Sequence, residues 1–512
     1  MPAAILSGIL TALAFPKAGV SVLAWVSLIP LLLALSGKGR RSGFLTGGLA
    51  GLFFYGILLY WVPDVPAHYG GMPYWLCILV YLALILFLAL FWGLFGHFFV
   101  FLRLSFPAAA FLIAPFLWIT MEFFLTRFLT GFPWGLLGTS QYRNLPLIQT
   151  ASLAGVYGVS FLLVLLQSTF VLALRRKRMS PFFAAFALLV LAHSWGGHEL
   201  KKGSFRGPRG IKTAVVQGNV SSDIYWQFTA PEEVRRIFED HLDLTGQALD
   251  AGAGLVIWPE FTVPLCFSCE EPLYKEFGAE IDRLVASSRA TLLIGTNEVT
   301  GPREAREYHN TAMAIQPDLS RSLYFKMHLV PFGEYTPYKK VFFFIERLTH
   351  AIGEITPGKD AVLHEHAGFR FGSPICYEVI FPGLVRKFVR GGADFLVTIT
   401  NDGWYGKSSA PYQHWAQAVV RAVENRRYLA RAATTGISGF IDPYGHIVSS
   451  TGLMTRTVLT ETIYPAARQS LYTRAGDVLP AAGLTLFLLS LILAMVKKAK
   501  ERKKHGRPRQ IN

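Results

Sequence analysis

The sequence predicts a polytopic α-helical membrane protein that carries one water-soluble α/β domain. Of its 512 residues, 52% are hydrophobic and only 16% are charged, whereas about a quarter of the residues of a soluble protein are charged. The 40 Phe, 20 Tyr and 11 Trp residues exclude a disordered chain. Long apolar stretches fill the first 196 residues, while segment 197–477 alternates short β-rich runs with helical patterns, which is typical of an α/β domain.

The apolar stretches predict about eight membrane spans, because a helix of about 20 apolar residues crosses the hydrocarbon core of a bilayer. The first stretch is short and contains Pro16, like a signal-peptide core, but a second apolar stretch follows at once, so we interpret the first as a span. The predicted spans are 3–17, 19–37, 43–61, 74–102, 107–125, 158–174, 180–196 and 478–496.

Positive charges predict the orientation of these spans. Lys and Arg follow the second, fourth, sixth and eighth stretches, at Lys38–Arg41, Arg103, Arg175–Arg178 and the tail, whereas the 62–73 loop has none. Because basic loops stay on the cytoplasmic side, we expect both termini in the cytoplasm and segment 197–477 in the periplasm of a bacterium with two membranes. The net charge of +16 therefore indicates topology and anionic lipid headgroups, and no nucleic-acid partner is expected.

These patterns predict a division of the chain into five parts. Residues 1–196 form a membrane domain of about seven helices, 197–210 form a linker, and 211–470 form the soluble domain. A last membrane helix follows at 478–496, and a basic cytoplasmic tail follows at 497–512.

Within the soluble domain, β-rich runs predict strands and two longer patterns predict helices. The helices are expected at Pro231–Ala248, where apolar residues keep a period of about 3.6 residues, and at Pro411–Ala430. The predicted strands are Thr213–Gln217, Gly254–Trp258, Thr291–Gly295, Thr311–Gln316, Arg321–Lys326, Phe369–Ile375, Asp394–Thr400 and Gly436–Ile441.

Three polar stretches follow predicted strands, at the place where open α/β sheets carry their sites. The thiol of Cys376 can attack a carbonyl carbon, the carboxylate of Glu260 can take the proton of the thiol, and the ammonium group of Lys326 can stabilise an oxygen that becomes negative. Each residue alone would be ordinary, but the three together predict a site for nucleophilic catalysis. The stretches are Trp258–Phe261, Phe325–Tyr335 and Pro374–Glu378.

The motifs W-P-E, K-x-x-L-V-P-F-G-E-Y and I-C-Y-E, which supply Glu, Lys and Cys in that order, resemble the nitrilase (carbon–nitrogen hydrolase) superfamily. A domain of this kind between seven apolar spans and one further span resembles the apolipoprotein N-acyltransferase family, over essentially the whole chain. Further stretches that fit this family are Phe132–Gly135, Gln217–Asn219, Gly358-Lys359 and Thr400–Trp404.

The resemblance implies a fold and an activity. The soluble domain would be an αββα sandwich, and the enzyme would lie in the bacterial inner membrane. It would move an acyl chain from a phospholipid, such as phosphatidylethanolamine, to its own cysteine as a thioester. The acyl chain would then pass to the α-amine of the N-terminal diacylglyceryl-cysteine of an apolipoprotein, which completes lipoprotein maturation. The resemblance implies no cofactor and no metal ion.

Carried over by motif position, Cys376 would be the nucleophile, Glu260 the general base and Lys326 the residue that stabilises the oxyanion. A thiol with a pKa of ~8.5 is mostly protonated at neutral pH, and we expect the lysine and a helix N-terminus after the cysteine to lower that pKa. The resemblance also implies supporting roles for Glu334, which would orient the lysine or close the loop, for Glu378 and Tyr377 beside the nucleophile, and for Trp226 near the mouth of the site.

Two neighbouring features are interpreted separately. The apolar stretch Val341–Ile345 is expected to be a lid or arm that touches lipid, with a core strand or helix as the alternative. Cys266 and Cys269 are half of a zinc site at most; a disulfide or two ordinary thiols are more typical, and an oxidising periplasm favours the disulfide. The pair of His364 and His366 is a weak signal for a metal ion.

Two other functions stay open at this point. A membrane-anchored amidase or nitrilase would use the same three reactive residues, with water as the acceptor, to hydrolyse a small amide; seven N-terminal spans are more than its anchor requires. A non-enzymatic transporter or scaffold would not require Glu260, Lys326 and Cys376 together, and the few charges inside the predicted spans argue against a transport path.

Overall fold

The structure is a computed structural model in which the chain divides into two compact units. The first unit comprises Met1–Tyr60, Leu79–Glu199 and Asp477–Asn512, and the second comprises Trp61–Ile78 and Leu200–Gly476. The segment Trp61–Ile78, which lies between two apolar stretches of the sequence, therefore belongs to the unit that contains the soluble domain. The described residues are 1–202, 209–221, 230–261, 266–269, 271–336 and 355–505.

Long apolar helices identify the chain as a membrane protein. Helix Tyr74–Ser105 has 32 residues and is about 48 Å long at 1.5 Å per residue, which exceeds the ~30 Å core of a bilayer. Among the described residues, four helices are long and apolar enough to cross a membrane: Tyr74–Ser105, Val156–Arg176, Ser180–Lys201 and Val478–Glu501.

The other predicted spans correspond to shorter or less apolar helices, so a count of eight spans stays a prediction. The second stretch is interrupted, because a new helix begins at Ile29 with Pro30 in its first turn, where a proline is tolerated. These elements are the helix Pro2–Leu13, the 3₁₀ turn Ser21–Trp25 with the helix Ile29–Leu35, and the helices Arg40–Leu58 and Ala109–Leu125.

The soluble part of the second unit contains two six-stranded sheets. The strand order is β12-β1-β2-β3-β4-β5 in the first sheet and β11-β10-β9-β8-β7-β6 in the second. The strands are β1 Ile211–Gln217, β2 Leu255–Ile257, β3 Thr291–Thr300, β4 Glu307–Ile315, β5 Arg321–Phe325, β6 Leu363–His366, β7 Phe369–Gly372, β8 Phe395–Thr400, β9 Leu429–Ala433, β10 Gly439–Ile441, β11 Ile447–Ser450 and β12 Thr457–Ile463.

The two sheets share one pattern of strand directions. Strands β1, β2 and β3 are parallel to one another, as are β7, β8 and β9, and the flanking pairs are antiparallel. Strand β1 contacts β9, so the sheets face each other. The carboxyl ends of the parallel strands are where an α/β sheet places its functional loops.

Amphipathic helices cover the sheets. In helix Pro231–Asp250, buried Val234, Ile237 and Phe238 pack against the first sheet, and the Phe238 ring stacks on Phe277 with centroids 4.0 Å apart. Full burial of a side chain of this size contributes roughly 1.5–3 kcal/mol. Further helices among the described residues of this unit are Asp64–His68, Pro272–Ser288, Pro382–Arg390, Ala410–Asn425 and Leu471–Ala475.

The structure contains all eight predicted strands and both predicted helices, but the second helix is shorter than expected. It ends at Asn425, because Arg426 has a φ of +53° and turns the chain. Leu429–Ala433 then forms β9 between β8 and β10, although its alanine-rich composition favours helix. Pairing on both edges satisfies the backbone of a central strand and overrides this local preference. The strands β6, β9, β11 and β12 were not predicted.

Candidate active site

The three residues predicted to react follow three different strands. Glu260 comes three residues after the end of β2, Lys326 directly follows β5, and Cys376 begins the 3₁₀ turn Cys376–Ile380 that follows β7. Because β2 and β7 are central parallel strands of the two facing sheets, their carboxyl ends bring a carboxylate and a thiol from distant parts of the sequence to one region.

The ammonium group of Lys326 is buried between two carboxylates. Its Nζ lies 3.2 Å from Oε1 of Glu260 and 2.8 Å from Oε1 of Glu334, and the side chain of Lys326 is 1% exposed. Burial alone lowers the pKa of Lys326, but the charges of Glu260 and Glu334 outweigh it and raise this pKa above its ordinary value. The lysine is therefore a fixed positive charge in the site.

Asn310 completes this cluster, and the sequence analysis did not predict it. Its Nδ2 donates to Oε1 of Glu260 and to Oε1 of Glu334, in both cases at 2.8 Å. The other oxygen of Glu260 accepts from the backbone N–H of Asn401 at 2.9 Å, and the other oxygen of Glu334 accepts from that of Val330 at 2.7 Å. Both carboxylates are thus oriented by the protein. A polar residue within a strand such as β4 carries no local signal of this role.

The surroundings of Cys376 raise the pKa of its thiol above the ordinary value. Burial is the largest influence and raises the pKa of Cys376, the negative charge of Glu260 raises it further, and Lys326 lowers it without compensating. The expectation of a lowered thiol pKa is therefore wrong for the resting site, because burial and the charges of Glu260 and Asp402 outweigh the charge of Lys326.

The backbone of Cys376 is strained, and a hydrogen bond from a buried histidine supports it. Its φ is +49°, in the left-handed region, which costs a residue with a side chain about 1–3 kcal/mol at such sites. Nε2 of His414 donates to the carbonyl oxygen of Cys376 at 3.1 Å, and Nδ1 of His414 lies 2.9 Å from Oδ1 of Asp402. Arg431 Nη2 donates to Oδ2 of Asp402 at 2.8 Å. All three supporting side chains are buried.

Arg431 influences the pKa values of Asp402 and His414, and these two residues also influence each other. Burial alone raises the pKa of Asp402, but Arg431 and His414 outweigh it and hold the pKa below its ordinary value. Burial, and then Arg431, lowers the pKa of His414. The stretch Thr400–Trp404 had been noted in the sequence, but no spacing linked Asp402 to a histidine 12 residues later or to an arginine in an unpredicted strand.

One hydroxyl and three backbone N–H groups of the protein donate hydrogen bonds to the carboxylate of Glu378. It joins the loop after Lys326 to the residue before Cys376 and so connects these two segments. Burial raises the pKa of Glu378 to about 7, while the hydrogen bonds that it accepts lower this pKa. Its donors, within 3.0 Å, are the hydroxyl of Tyr324 and the backbone N–H groups of Met327, His328 and Ile375.

Gly358 has a structural reason to lack a side chain. Its N–H donates to the carbonyl of Lys326 at 2.8 Å, and the N–H of Lys326 donates to the carbonyl of Asn310 at 2.8 Å. A Cβ at position 358 would collide with the carbonyl oxygen of Phe325. Only glycine lets this segment approach the backbone of the lysine so closely.

Of the remaining predicted residues, Tyr377 lies within the described residues and the others do not. Tyr377 is buried and packs the turn after the nucleophile, with its ring centroid 5.8 Å from that of His328 and 5.1 Å from that of Phe381. Trp226 and the predicted lid Val341–Ile345 lie outside the described residues.

Cys266 and Cys269 form a disulfide, as the sequence analysis favoured. The ring nitrogens of His364 contact two serine hydroxyls at 2.6 and 2.8 Å, and Nδ1 of His366 contacts a threonine hydroxyl at 2.8 Å. Over the described ranges, no group of three His, Cys, Asp or Glu side chains could hold a metal ion.

Two known families match this sequence. The apolipoprotein N-acyltransferase N-terminal domain matches residues 7–169, and the carbon-nitrogen hydrolase family matches residues 212–472. The apolipoprotein N-acyltransferase of Geobacter metallireducens is 38% identical over 488 residues, which cover 93% of this chain and 91% of that protein. The apolipoprotein N-acyltransferase of Chlorobaculum tepidum is 31% identical, with 96% of each chain covered. Among solved structures, Saccharomyces cerevisiae Nit3, a member of branch 10 of the nitrilase superfamily, is 21% identical with a TM-score of 0.39; the match covers 50% of this chain and 91% of that chain.

Proposed function

The chain belongs to the apolipoprotein N-acyltransferase family and is an acyltransferase of lipoprotein maturation, and we propose that the acyl group passes through a thioester on Cys376. A phospholipid such as phosphatidylethanolamine is the proposed donor, and the N-terminal diacylglyceryl-cysteine of an apolipoprotein is the proposed acceptor. Glu260 acts as the general base and Lys326 stabilises the oxyanion. No cofactor takes part in this scheme.

The first step transfers the acyl chain to the enzyme. Glu260 takes the proton of the Cys376 thiol as the sulfur attacks the carbonyl carbon of the phospholipid ester. The carbonyl oxygen becomes negative in the tetrahedral intermediate, where the ammonium group of Lys326 stabilises it. The bond between the carbonyl carbon and the glycerol oxygen then breaks, Glu260 returns its proton to that oxygen, and a lysophospholipid leaves.

The second step transfers the acyl chain to the lipoprotein. The neutral α-amine attacks the thioester carbonyl, a second oxyanion forms beside Lys326, and Glu260 takes a proton from the nitrogen. The bond between carbon and sulfur breaks, and the thiolate of Cys376 recovers the proton. The product amide is more stable than the thioester, so this step runs downhill.

One observation carries the proposal: a buried cation lies between two oriented carboxylates in electrostatic contact with a buried thiol. Nζ of Lys326 lies 3.2 Å from Glu260 and 2.8 Å from Glu334. The charges of Glu260 and Lys326 act on the pKa of Cys376 in opposite directions. A raised thiol pKa makes a base necessary, and the fixed ammonium group is available where an oxyanion develops. Glu334 supports the site by holding the lysine.

The supporting residues are proposed to act through the backbone. Glu378 braces the lysine loop against the nucleophile loop, and Tyr377 packs the turn that carries the nucleophile. A place for Trp226 near the mouth of the site stays a prediction, because this residue lies outside the described ranges. Water as the acceptor would give the amidase alternative, but relatives that match this chain over more than nine-tenths of its length are named acyltransferases.

We further propose that the protein lies in the inner membrane with its catalytic domain in the periplasm and both termini in the cytoplasm. Arg103 Nη2 donates to the carbonyl of Lys38 at 3.0 Å, and Lys497 Nζ donates to the carbonyl of Ser105 at 2.7 Å. These residues follow the second, fourth and eighth apolar stretches. Basic residues of three separate loops thus gather at one end of the first unit, which supports their location on the cytoplasmic side.

Contacts of the other loops support the same orientation. Asp477, at the start of the last long helix, pairs with Arg127 after the fifth stretch at 2.6 Å, so these two chain positions share one side. The segment Trp61–Ile78 packs in one compact unit with Leu200–Gly476, which is expected if both leave the membrane on the periplasmic side. The proposed domain boundaries remain 1–196, 197–210, 211–470, 478–496 and 497–512.

The experiment that tests the function is the intact mass of the full-length protein after incubation with phosphatidylethanolamine vesicles. The expected result is a gain of one acyl group that peptide mapping locates on Cys376. A synthetic peptide with an N-terminal diacylglyceryl-cysteine should then remove that mass and gain an amide-linked acyl chain. If the acyl group appears only as free fatty acid, with or without the peptide, the protein hydrolyses its substrate and the transfer mechanism is wrong.

A further inference from the structure

The segment Trp61–Ile78 lies against the turn Asp402–Tyr405, which directly follows β8. The hydroxyl of Tyr69 donates to the carbonyl of Gly403 at 3.0 Å. The ring of Tyr69 meets the ring of Trp404 edge-on, with centroids 4.8 Å apart. One tyrosine therefore holds this turn by its backbone and by a neighbouring side chain.

A second aromatic residue of the segment contacts the same turn. The ring of Trp61 meets that of Tyr405 edge-on at 4.9 Å, and Trp61 is 5% exposed. Burial raises the pKa of Tyr405, and the charges of Cys376 and Asp402 raise it further. The turn that the segment covers is thus within electrostatic range of the nucleophile.

The turn and the residue before it, Asn401, carry two groups that orient the proposed catalytic residues. The backbone N–H of Asn401 donates to Oε2 of Glu260 at 2.9 Å, and the side chain of Asn401 accepts from the N–H of Gly403 at 3.0 Å. Oδ1 of the next residue, Asp402, lies 2.9 Å from Nδ1 of the buried histidine that donates to the carbonyl of Cys376. A displacement of the turn would therefore move the partner of the base and the support of the nucleophile together.

We infer that Tyr69 is a positioning residue for acyl transfer, which fixes the turn Asp402–Tyr405 and through it the orientation of Glu260 and Cys376. This inference rests on the proposed function in one respect, the assignment of these two residues as base and nucleophile. The segment Trp61–Ile78 thereby becomes an element of the catalytic site, in addition to a connection between two apolar stretches. A segment that only contacted lipid would alter the affinity for the donor and leave the reactivity of the thiol unchanged.

The test compares Tyr69→Phe with Tyr74→Phe in the full-length protein. Tyr69→Phe removes one hydroxyl and keeps the ring on Trp404. Tyr74 lies on the same segment, is exposed, and places its hydroxyl 3.2 Å from Asp64, which makes its Phe variant a matched control. The first measurement is the single-turnover rate of acyl-enzyme formation as a function of phosphatidylethanolamine concentration in vesicles.

The second measurement is the rate at which iodoacetamide alkylates Cys376 between pH 6 and 9, with peptide mapping to separate it from Cys77. This rate reports the reactivity of the thiol without any acyl transfer. We expect Tyr69→Phe to lower both rates about 3- to 10-fold, the usual effect of one lost hydrogen bond, to alter the pH profile of alkylation, and to leave the half-saturating donor concentration unchanged. Tyr74→Phe should match the wild type in both measurements.

Wild-type rates and an unchanged pH profile in Tyr69→Phe would overturn the inference, as would a change in donor affinity alone. Trp61→Phe, which keeps an aromatic ring against Tyr405, provides a second variant with the same expected direction. Glu260→Gln separates the inference from the proposed function. If Glu260→Gln alkylates at the wild-type rate while Tyr69→Phe is slow, the assigned role of Glu260 fails and the positioning role of Tyr69 stands.

Discussion

Nε2 of His414 lies 3.1 Å from the carbonyl oxygen of Cys376 and donates a hydrogen bond to it. The nucleophile is thus held through its backbone, in a left-handed conformation with a φ of +49°, by a buried side chain 38 residues later in the sequence. The direction of the thiol depends on this support, because the strained backbone alone would relax.

We expect His414→Ala to lower the single-turnover rate of acyl-enzyme formation about 10-fold or more. The substitution removes the hydrogen-bond donor of the Cys376 carbonyl, and a buried polar group without a partner costs about 1–3 kcal/mol of free energy. The half-saturating donor concentration should not change. The control is His446→Ala, whose side chain is 44% exposed. A wild-type rate in His414→Ala would mean that the turn holds its conformation without the histidine.

The nucleophile assignment predicts opposite outcomes for two kinds of cysteine. Cys376→Ser should lose acyl-enzyme formation, because a hydroxyl has a far higher pKa than a thiol and the same base does not activate it. The double variant Cys266→Ala, Cys269→Ala, which removes the disulfide, should keep most of the activity. Intact mass after incubation with phospholipid measures both. Retained transfer in Cys376→Ser, together with loss in the disulfide variant, would make the assignment wrong.

The two charged partners of the thiol should affect the same step. Glu260→Gln should block acyl-enzyme formation because no base remains, and Lys326→Ala should slow it on the order of 10²–10³-fold, as expected for a lost oxyanion partner. Lys326→Arg should not restore the rate, since a planar guanidinium does not fit the place of a compact ammonium group. The exposed Glu276→Gln is the control. If Glu260→Gln forms the acyl-enzyme normally and fails only with the lipoprotein amine, Glu260 acts on the acceptor instead.

Acid should destabilise the soluble domain through its buried histidines. Burial lowers the pKa of His364 to about 3 and that of His241 to about 4, against about 6.5 in an unfolded chain. Between these values the unfolded chain binds more protons than the folded one, so the free energy of unfolding falls as the pH falls from about 6.5 toward 4. Each fully buried histidine contributes a slope of up to about 1.4 kcal/mol per pH unit.

Thermal unfolding followed by circular dichroism at pH 7.5, 6.5, 5.5 and 4.5 measures this dependence. The unfolding temperature should decrease below about pH 6.5, and His364→Gln should flatten the decrease, although its unfolding temperature is lower throughout. The exposed His446→Gln should leave the slope unchanged. An unfolding temperature that does not vary between pH 7.5 and 4.5 would contradict the burial of neutral histidines.

The proposed orientation predicts which positions react with a membrane-impermeant thiol reagent in intact cells. Single cysteines placed in the 62–73 loop and in exposed positions of segment 197–477 should be labelled from the periplasm. Cysteines at Arg175–Arg178 or in the basic tail should react only after the cells are lysed. Labelling of the tail in intact cells would reverse the orientation.

The local sequence determined the class of the protein and predicted which residues react. Apolar length, the alternation of basic loops and the β-rich runs are properties of short windows, and they predicted the membrane helices and eight strands. The motifs around Glu260, Lys326 and Cys376 are also local, because each consists of a strand end and the few residues after it. The prediction of secondary structure failed where a short stretch of sequence was ambiguous. The composition of Leu429–Ala433 favours a helix, but these residues form a strand between two other strands.

Only the tertiary structure decided how these residues support one another. Asn310 bridges two carboxylates, His414 holds the carbonyl of Cys376, and Tyr69 reaches a carbonyl 334 residues away. The direction of the thiol pKa was also decided there, since burial and the charges of Glu260 and Asp402 outweigh the charge of the lysine. Such contacts depend on which strands are neighbours and on what is removed from water, and neither property is encoded in the spacing of residues along the chain.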